Sequence, residues 1–211
     1  ADALANATAD ATIIVNGGSY DETVSLTGTQ TLEITGPDLA GSVTITGLSA
    51  DAGTSIVLVG SSVLTLGNAA DQVIAAVFSG TGDLVKQGTG QITLSGEGSS
   101  ATGTTLVKAG ILAWGANDSF PSGTVTVESG GTVDLTALSG NNNGATGTNG
   151  SNRAYVIEGT GSAGQGALIN SSGSLVGTST AISGLTLTGD ATVNTPARLD
   201  VGGAVNLGTF T

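Results

Sequence analysis

The stretch from Gly80 to Leu138 alternates short apolar triplets with glycine turns, and this pattern constrains the fold most. Triplets such as Ile92-Thr93-Leu94 and Val133-Asp134-Leu135 direct alternate side chains to opposite faces of an extended chain. The triplets are too short for helices, and the glycines between them would break any helix that spanned them. The stretch therefore predicts a repetitive all-β scaffold.

The same pattern continues on both sides of this stretch. We interpret Val73–Phe78 as a strand, with one helical turn as the alternative, and the unbroken apolar run Ile56–Val59 as a strand covered on both faces. Residues 1–12 are rich in alanine and predict an N-terminal lead-in segment or a short helix, whereas residues 13–211 predict a single domain. Further predicted strands are Ile13–Val15, Val24–Leu26, Leu32–Ile34, Val43–Ile45, Val63–Leu66, Tyr155–Ile157, Leu185–Leu187, Leu199–Val201 and Val205–Leu207.

The spacing of the apolar positions distinguishes two all-β architectures. Positions expected to face inward recur from Ile92 to Leu112, from Leu106 to Val125 and from Leu112 to Val133, which is about one rung per 20 residues. A parallel β-helix of roughly ten rungs would then form a rod about 50 Å long. The alternative is an antiparallel β-sandwich, in which Val127 to Val133 would form a glycine hairpin.

Two segments of the central stretch resemble a known bacterial repeat. Residues 80–96, GTGDLVKQGTGQITLSG, are similar to the opening of the autotransporter-associated β-strand repeat, also called the passenger-associated transport repeat. Residues 103–112, GTTLVKAGIL, resemble its second half, but Ser99–Gly103 lacks the aromatic of the family's usual turn. The resemblance covers about a quarter of the chain and implies a right-handed parallel β-helix at a bacterial surface, often within a larger chain.

Charge and sulfur content limit the partners and the setting. Sixteen acidic residues against four basic ones give a formal net charge of −12, which disfavours nucleic acids and anionic membranes as partners. Cysteine, methionine and histidine are absent, so neither disulfides nor thiolate or imidazole metal sites can form. We expect an exported mature protein or fragment, located outside the cell or on its surface and not embedded in a membrane.

The polar segment 139–153 predicts a loop that projects from the scaffold. Its residues Asn141, Asn142, Asn143, Asn149 and Arg153 are candidates for contact with a partner or a cell-surface glycan. Trp114 is a candidate platform for stacking on a sugar, or alternatively the cover of one end of the core. The loop has the simpler interpretation of an excursion without a ligand.

Catalytic chemistry has few candidate residues. Enzymes that act on acidic sugars need clustered carboxylates beside basic residues, but only Lys86, Lys108, Arg153 and Arg198 are available. The adjacent acids Asp21 and Glu22 would point to opposite faces of a strand. We therefore predict no catalytic residues and no cofactor, with only a weak indication of a calcium ion held by turn carboxylates and carbonyls.

These observations favour a non-enzymatic structural protein of the bacterial cell surface or extracellular space. It would be a β-helical segment of an autotransporter-like adhesin, or a subunit of a fibre or surface layer that assembles end to end. The open ends of a β-helix favour such self-association, or association with flanking parts of a larger chain. The alternative is a polysaccharide-binding or polysaccharide-degrading β-helix protein.

Overall fold

A computed structural model describes residues 7–36, 41–136, 153–172, 182–196 and 199–210, and these residues are nearly all β. A short 3-10 turn lies at Ser162–Gly164. The strands are β1 (Thr12–Val15), β2 (Gly18–Leu26), β3 (Thr31–Ile34), β4 (Ser42–Ala50), β5 (Ser55–Leu58), β6 (Val63–Leu66), β7 (Gln72–Ile74), β8 (Val77–Gly80), β9 (Asp83–Lys86), β10 (Gln91–Leu94), β11 (Thr105–Trp114), β12 (Val125–Asp134), β13 (Ala154–Gly159), β14 (Leu168–Ile169), β15 (Gly184–Ala191), β16 (Val193–Asn194) and β17 (Val205–Asn206).

Every pairing between these strands is parallel. The chain winds as a parallel β-helix of about 8 turns, which confirms the predicted fold class. The antiparallel sandwich is excluded because Val127 and Val133 lie within one strand, β12, and do not face each other across a hairpin.

The strands lie on three faces of the helix, and the first of these faces is limited to four coils. The first face is the four-stranded sheet β1-β3-β5-β8. The second face runs through the starts of β2 and β4, then β6, β9, the starts of β11 and β12, and on to β13, β15 and β17. The third face runs through the ends of β2 and β4, then β7, β10, the ends of β11 and β12, and on to β14 and β16.

The core consists of aliphatic columns that run along the helix axis. Since side chains alternate along a strand, every second residue points inward and stacks on its equivalent in the next coil. On the third face, Ile92 pairs with Leu112 and Leu112 pairs with Val133, and all three are buried. This column confirms the predicted spacing of about 20 residues for these coils.

The structure corrects the predicted number of rungs. Tyr155 pairs with Val125 on one side and with Leu185 on the other, so each of these two coils takes 30 residues. Because these coils are longer than the predicted 20 residues per rung, the same chain forms fewer of them. The helix therefore has about 8 turns and not ten.

Three local predictions were also wrong. Leu106 pairs with Thr126 and is half-exposed, because Thr105 and Val107 take the inward positions of that strand. The run from Val73 to Phe78 forms two strands, β7 and β8, on either side of a corner at Ala75 and Ala76. In β5, Val57 is half-exposed, so that strand is covered on one face only.

At the N-terminus, residues 7–11 contain a turn, in which Ala11 N donates to Thr8 O at 3.1 Å, and β1 begins at Thr12. The first strand therefore begins at the last residue of the predicted lead-in segment, residues 1–12. Of the predicted projecting loop 139–153, only Arg153 lies within the described residues.

Candidate functional site

Trp114 and Arg153, two of the predicted contact residues, lie together inside the protein. The indole of Trp114 is fully buried at the end of β11 and stacks on Phe120, with ring centroids 4.0 Å apart and ring planes 7° apart. The guanidinium carbon of Arg153 lies 4.8 Å from the centre of the Trp114 ring. Arg153 also donates from Nη2 to the carbonyl oxygen of Phe120 at 2.7 Å and from Nε to that of Pro121.

This geometry corrects the hypothesis that Trp114 and Arg153 contact a glycan. One face of the indole is covered by Phe120, and the ring has no exposed surface on which a sugar could stack. Arg153 is also buried, and its guanidinium is used by two backbone carbonyls and the indole. The predicted contacts at Asn141, Asn142, Asn143 and Asn149 lie outside the described residues and stay a prediction.

Tyr155 extends this interior cluster. Its hydroxyl and the Trp114 Nε1 are buried polar atoms without a partner at good hydrogen-bond geometry, but the two groups are close enough for the indole N–H to lower the Tyr155 pKa slightly. Burial raises the pKa of Tyr155 to about 12, and the nearby Arg153 charge opposes that rise. Burial also lowers the pKa of Arg153. The phenol is therefore neutral at physiological pH, and the cluster consolidates the core between coils.

Lys86 is the second buried basic residue, and it occupies an inward position of β9. Its neighbours in the column are Leu66 in the coil before and Val107 in the coil after. The ammonium donates to the carbonyl oxygens of Gln87 at 2.8 Å, Gly88 at 2.8 Å and Ala109 at 2.9 Å. These carbonyls lie at the corner between the second and third faces, so Lys86 supplies donors where the chain turns and the ladder ends.

We expect the stability of the protein to rise with pH because of Lys86. Burial lowers its pKa from 10.5 to about 8, against a smaller opposing effect of Asp71. Above pH 8 the folded state loses this proton while the unfolded state keeps it until pH 10.5. Because the unfolded state then binds more protons, the free energy of unfolding rises by up to about 1.4 kcal/mol per pH unit.

Denaturant titrations from pH 7.5 to 9 measure this rise, below the pH at which tyrosine in the unfolded state, with a pKa of 10.0, begins to ionise appreciably. Lys86→Met removes the titrating group and should abolish the rise, whereas Lys108→Met removes an exposed lysine and should keep it. A wild-type protein whose stability is flat or falls over this range would contradict the assignment.

A second inward polar residue, Gln72, sits at the same corner one coil earlier. Leu48 lies three positions after Ile45 within β4, whereas Gln72 lies six positions after Leu66, the partner of Ile45 in the next coil. The longer corner separates the backbones, and the pairing between β4 and β7 shrinks to Ala50 with Ile74. The Gln72 amide fills the gap, since Nε2 donates to Thr46 O at 3.1 Å and Oε1 accepts from Leu48 N at 2.9 Å.

An open groove of about 510 Å³ follows from this change of corner length, and we call it the corner groove. Its polar side chains are Thr23, Ser49, Asp51, Asn68, Asp71 and Gln72, and its exposed apolar side chain is Val73. Asp51 and Asp71 are exposed, and Asp71 also accepts from Gln91 N at 2.8 Å. None of these residues was identified from the sequence, because the groove arises from a mismatch between neighbouring coils and not from a local motif.

Acidic residues elsewhere do not converge. Within the part of the chain that the structure describes, no three residues of the types His, Cys, Asp and Glu are grouped so that they could hold a metal ion. Asp21 accepts from Thr46 Oγ1 at 3.2 Å at the surface. The described ranges also contain no helix long and apolar enough to cross a membrane.

Comparison of the chain with protein-family models, curated proteins and solved structures finds no match. The similarity of residues 80–96 and 103–112 to the autotransporter-associated repeat therefore stays a prediction.

Proposed function

We propose that this chain is a non-enzymatic structural β-helix of the bacterial surface or extracellular space, which associates end to end with another β-coil. The observation that carries the proposal is the last described coil, where apolar residues are exposed beside an open strand edge. Val205 is 51% exposed and Leu207 is 50% exposed. In the coil before, the equivalent of Val205 is the buried Leu185.

Strand edges support the same proposal. Among the described strands, β17 pairs on one side with β15, and β1 pairs on one side with β3. Unpaired N–H and C=O groups of an edge strand invite pairing with a further strand. In this proposal the next coil belongs to a second copy of the chain, and a head-to-tail contact between copies propagates because it does not close.

The composition of the chain supports the proposed location outside the cell. The burial of two basic residues supports the proposed lack of catalysis. The chain is acidic and free of cysteine, and two segments resemble a repeat found in bacterial surface proteins. Lys86 and Arg153, two of its four basic residues, are buried and bound to backbone carbonyls. Neither of these residues is positioned to bind an acidic substrate.

Sedimentation velocity over a concentration series tests the proposal. Wild-type protein should form larger species as its concentration rises, and Val205→Lys/Leu207→Lys should remain at the smallest species because burying two ammonium groups in a coil contact is costly. The control Thr65→Lys/Thr126→Lys adds the same charge at half-exposed outward positions along the rod and should assemble like the wild type. Assembly of the Val205→Lys/Leu207→Lys variant to the wild-type extent would contradict the proposal.

A further inference from the structure

We propose that the corner groove binds a neutral oligosaccharide through its hydroxyl groups. This inference does not depend on end-to-end assembly, because the groove lies on the side of the rod between the second and third coils. It rests on the chemistry of the groove's rim, on its apolar floor, on the rows of polar side chains above and below it, and on its charge.

The rim offers hydrogen-bond acceptors in excess of donors. The exposed carboxylates of Asp51 and Asp71 provide acceptor oxygens from two neighbouring coils, and the hydroxyls of Thr23 and Ser49 provide both donors and acceptors. Sugar hydroxyls are donors as well as acceptors, so they complement such a rim. Hydrogen bonds to charged acceptors are the stronger class.

The floor of the groove is apolar and small. Val73 is 58% exposed, and the other apolar lining residues are Gly47, Leu48, Ala50, Ala52, Ala70 and Ala75. Small side chains leave room for a ligand, and the exposed Val73 gives the C–H face of a sugar ring an apolar surface to cover. Six polar side chains also line the groove, so an apolar surface lies beside polar groups that would fix the orientation of a ligand.

Polar side chains extend the groove along the helix axis in both directions. In the coil above, Ser25 Oγ lies 2.9 Å from Ser49 Oγ. In the coil below, Gln91 Nε2 donates to Thr93 Oγ1 at 3.0 Å. Equivalent positions repeat about every 4.8 Å along the axis, so these rows favour an extended ligand of several sugar units over a single sugar.

The charge of the groove selects against acidic sugars. Its lining contains two carboxylates and neither lysine nor arginine. The nearby ammonium of Lys86 is buried and held by three backbone carbonyls. A uronate or a sulfated sugar would meet like charge without a compensating cation, whereas a neutral sugar would not.

NMR titration of the uniformly ¹⁵N-labelled chain tests this inference. The probes are three neutral trisaccharides, of β-linked glucose, α-linked glucose and N-acetylglucosamine, together with trigalacturonate as the acidic probe. At least one neutral probe should shift the amides of Ser49, Asp51 and Val73 at millimolar concentration, and trigalacturonate should not. No shift with any neutral probe, shifts confined to other regions, or equal binding of trigalacturonate would overturn the inference.

Variants assign the binding to the carboxylates. Asp51→Asn and Asp71→Asn should each weaken binding of the neutral probe about tenfold, because each replaces a charged acceptor. Glu97→Gln removes the same charge at an exposed position that does not line the groove and should bind like the wild type. Since Asp71 also accepts from Gln91 N, Asp51→Asn decides the question if Asp71→Asn alters the fold. Unchanged affinity in Asp51→Asn would contradict the assignment.

Discussion

Gly110→Ala is expected to destabilise the protein by about 3 kcal/mol or more. Gly110 has φ +70°, a backbone conformation that residues other than glycine adopt at a cost of about 1–2 kcal/mol. An added Cβ would also overlap the carbonyl oxygen of Gly88 and lie 2.6 Å from that of Gly90 and 2.7 Å from Lys86 Nζ. The backbone at Gly88 and Gly90 and the side chain of Lys86 would therefore have to move. Denaturant unfolding followed by circular dichroism measures the loss.

Gly98→Ala is the matched control for this prediction. Gly98 has φ +83°, but an added Cβ would meet no atom within 4 Å. The control therefore carries the conformational cost alone and should lose about 1–2 kcal/mol. Equal losses in the two variants would show that the close approach at the Lys86 corner contributes nothing, and would contradict the account of that corner.

Trp114→Ala is expected to cost about 3–5 kcal/mol, as other truncations of buried aromatic residues do. The change removes the ring that stacks on Phe120 and that lies against the Arg153 guanidinium. The cavity would be lined in part by a buried cation whose remaining partners are two backbone carbonyls. For a chain of this size, the expected fall in Tm is about 6–20 °C.

Trp114→Phe separates stacking from volume in this prediction. A phenyl ring keeps an aromatic face for Phe120 and Arg153, and it removes the buried Nε1 atom, which makes no hydrogen bond of good geometry. The loss should be less than half that of Trp114→Ala. A surface role for Trp114 would instead leave both variants as stable as the wild type, and that result would contradict its place in the core.

The fold could be predicted because each coil repeats the same physical requirement. Ile92, Leu112 and Val133 occupy equivalent inward positions, and burial on stacking keeps these positions apolar in coil after coil. Glycine at the corners adds a second periodic signal. Two periodic signals of the same length identify a solenoid even when individual strands have only three or four residues.

The count of coils and the inward register were harder to predict. Two polar runs, residues 139–153 and 158–166, interrupt the apolar alternation between Val127 and Leu185. The length of the repeat in this part of the chain therefore cannot be read from periodicity. Leu106 was assigned inward because it is apolar, but its neighbours Thr105 and Val107 hold the inward positions. Because the inward residue Thr105 is polar, the hydrophobic pattern does not show which residues of this strand point inward.

The buried polar residues show the same limit. Alternation from the buried Leu84 already indicates that Lys86 points inward, and this signal was available in the sequence. What the sequence lacked was the group of carbonyls that makes burial of an ammonium tolerable, since Ala109 comes from the next coil. Likewise, Phe120 and Arg153 meet Trp114 only through stacking of coils. The corner groove depends on the difference between two corners 24 residues apart, from Leu48 to Gln72, and has no local signature.

Cryo-electron microscopy of the wild-type chain over a concentration series tests end-to-end assembly most directly. The account predicts filaments one rod wide, in which the strand spacing of about 4.8 Å continues from the last coil of one copy into the first coil of the next. Single rods at every concentration, or assemblies in which rods contact each other only along their sides, would contradict it.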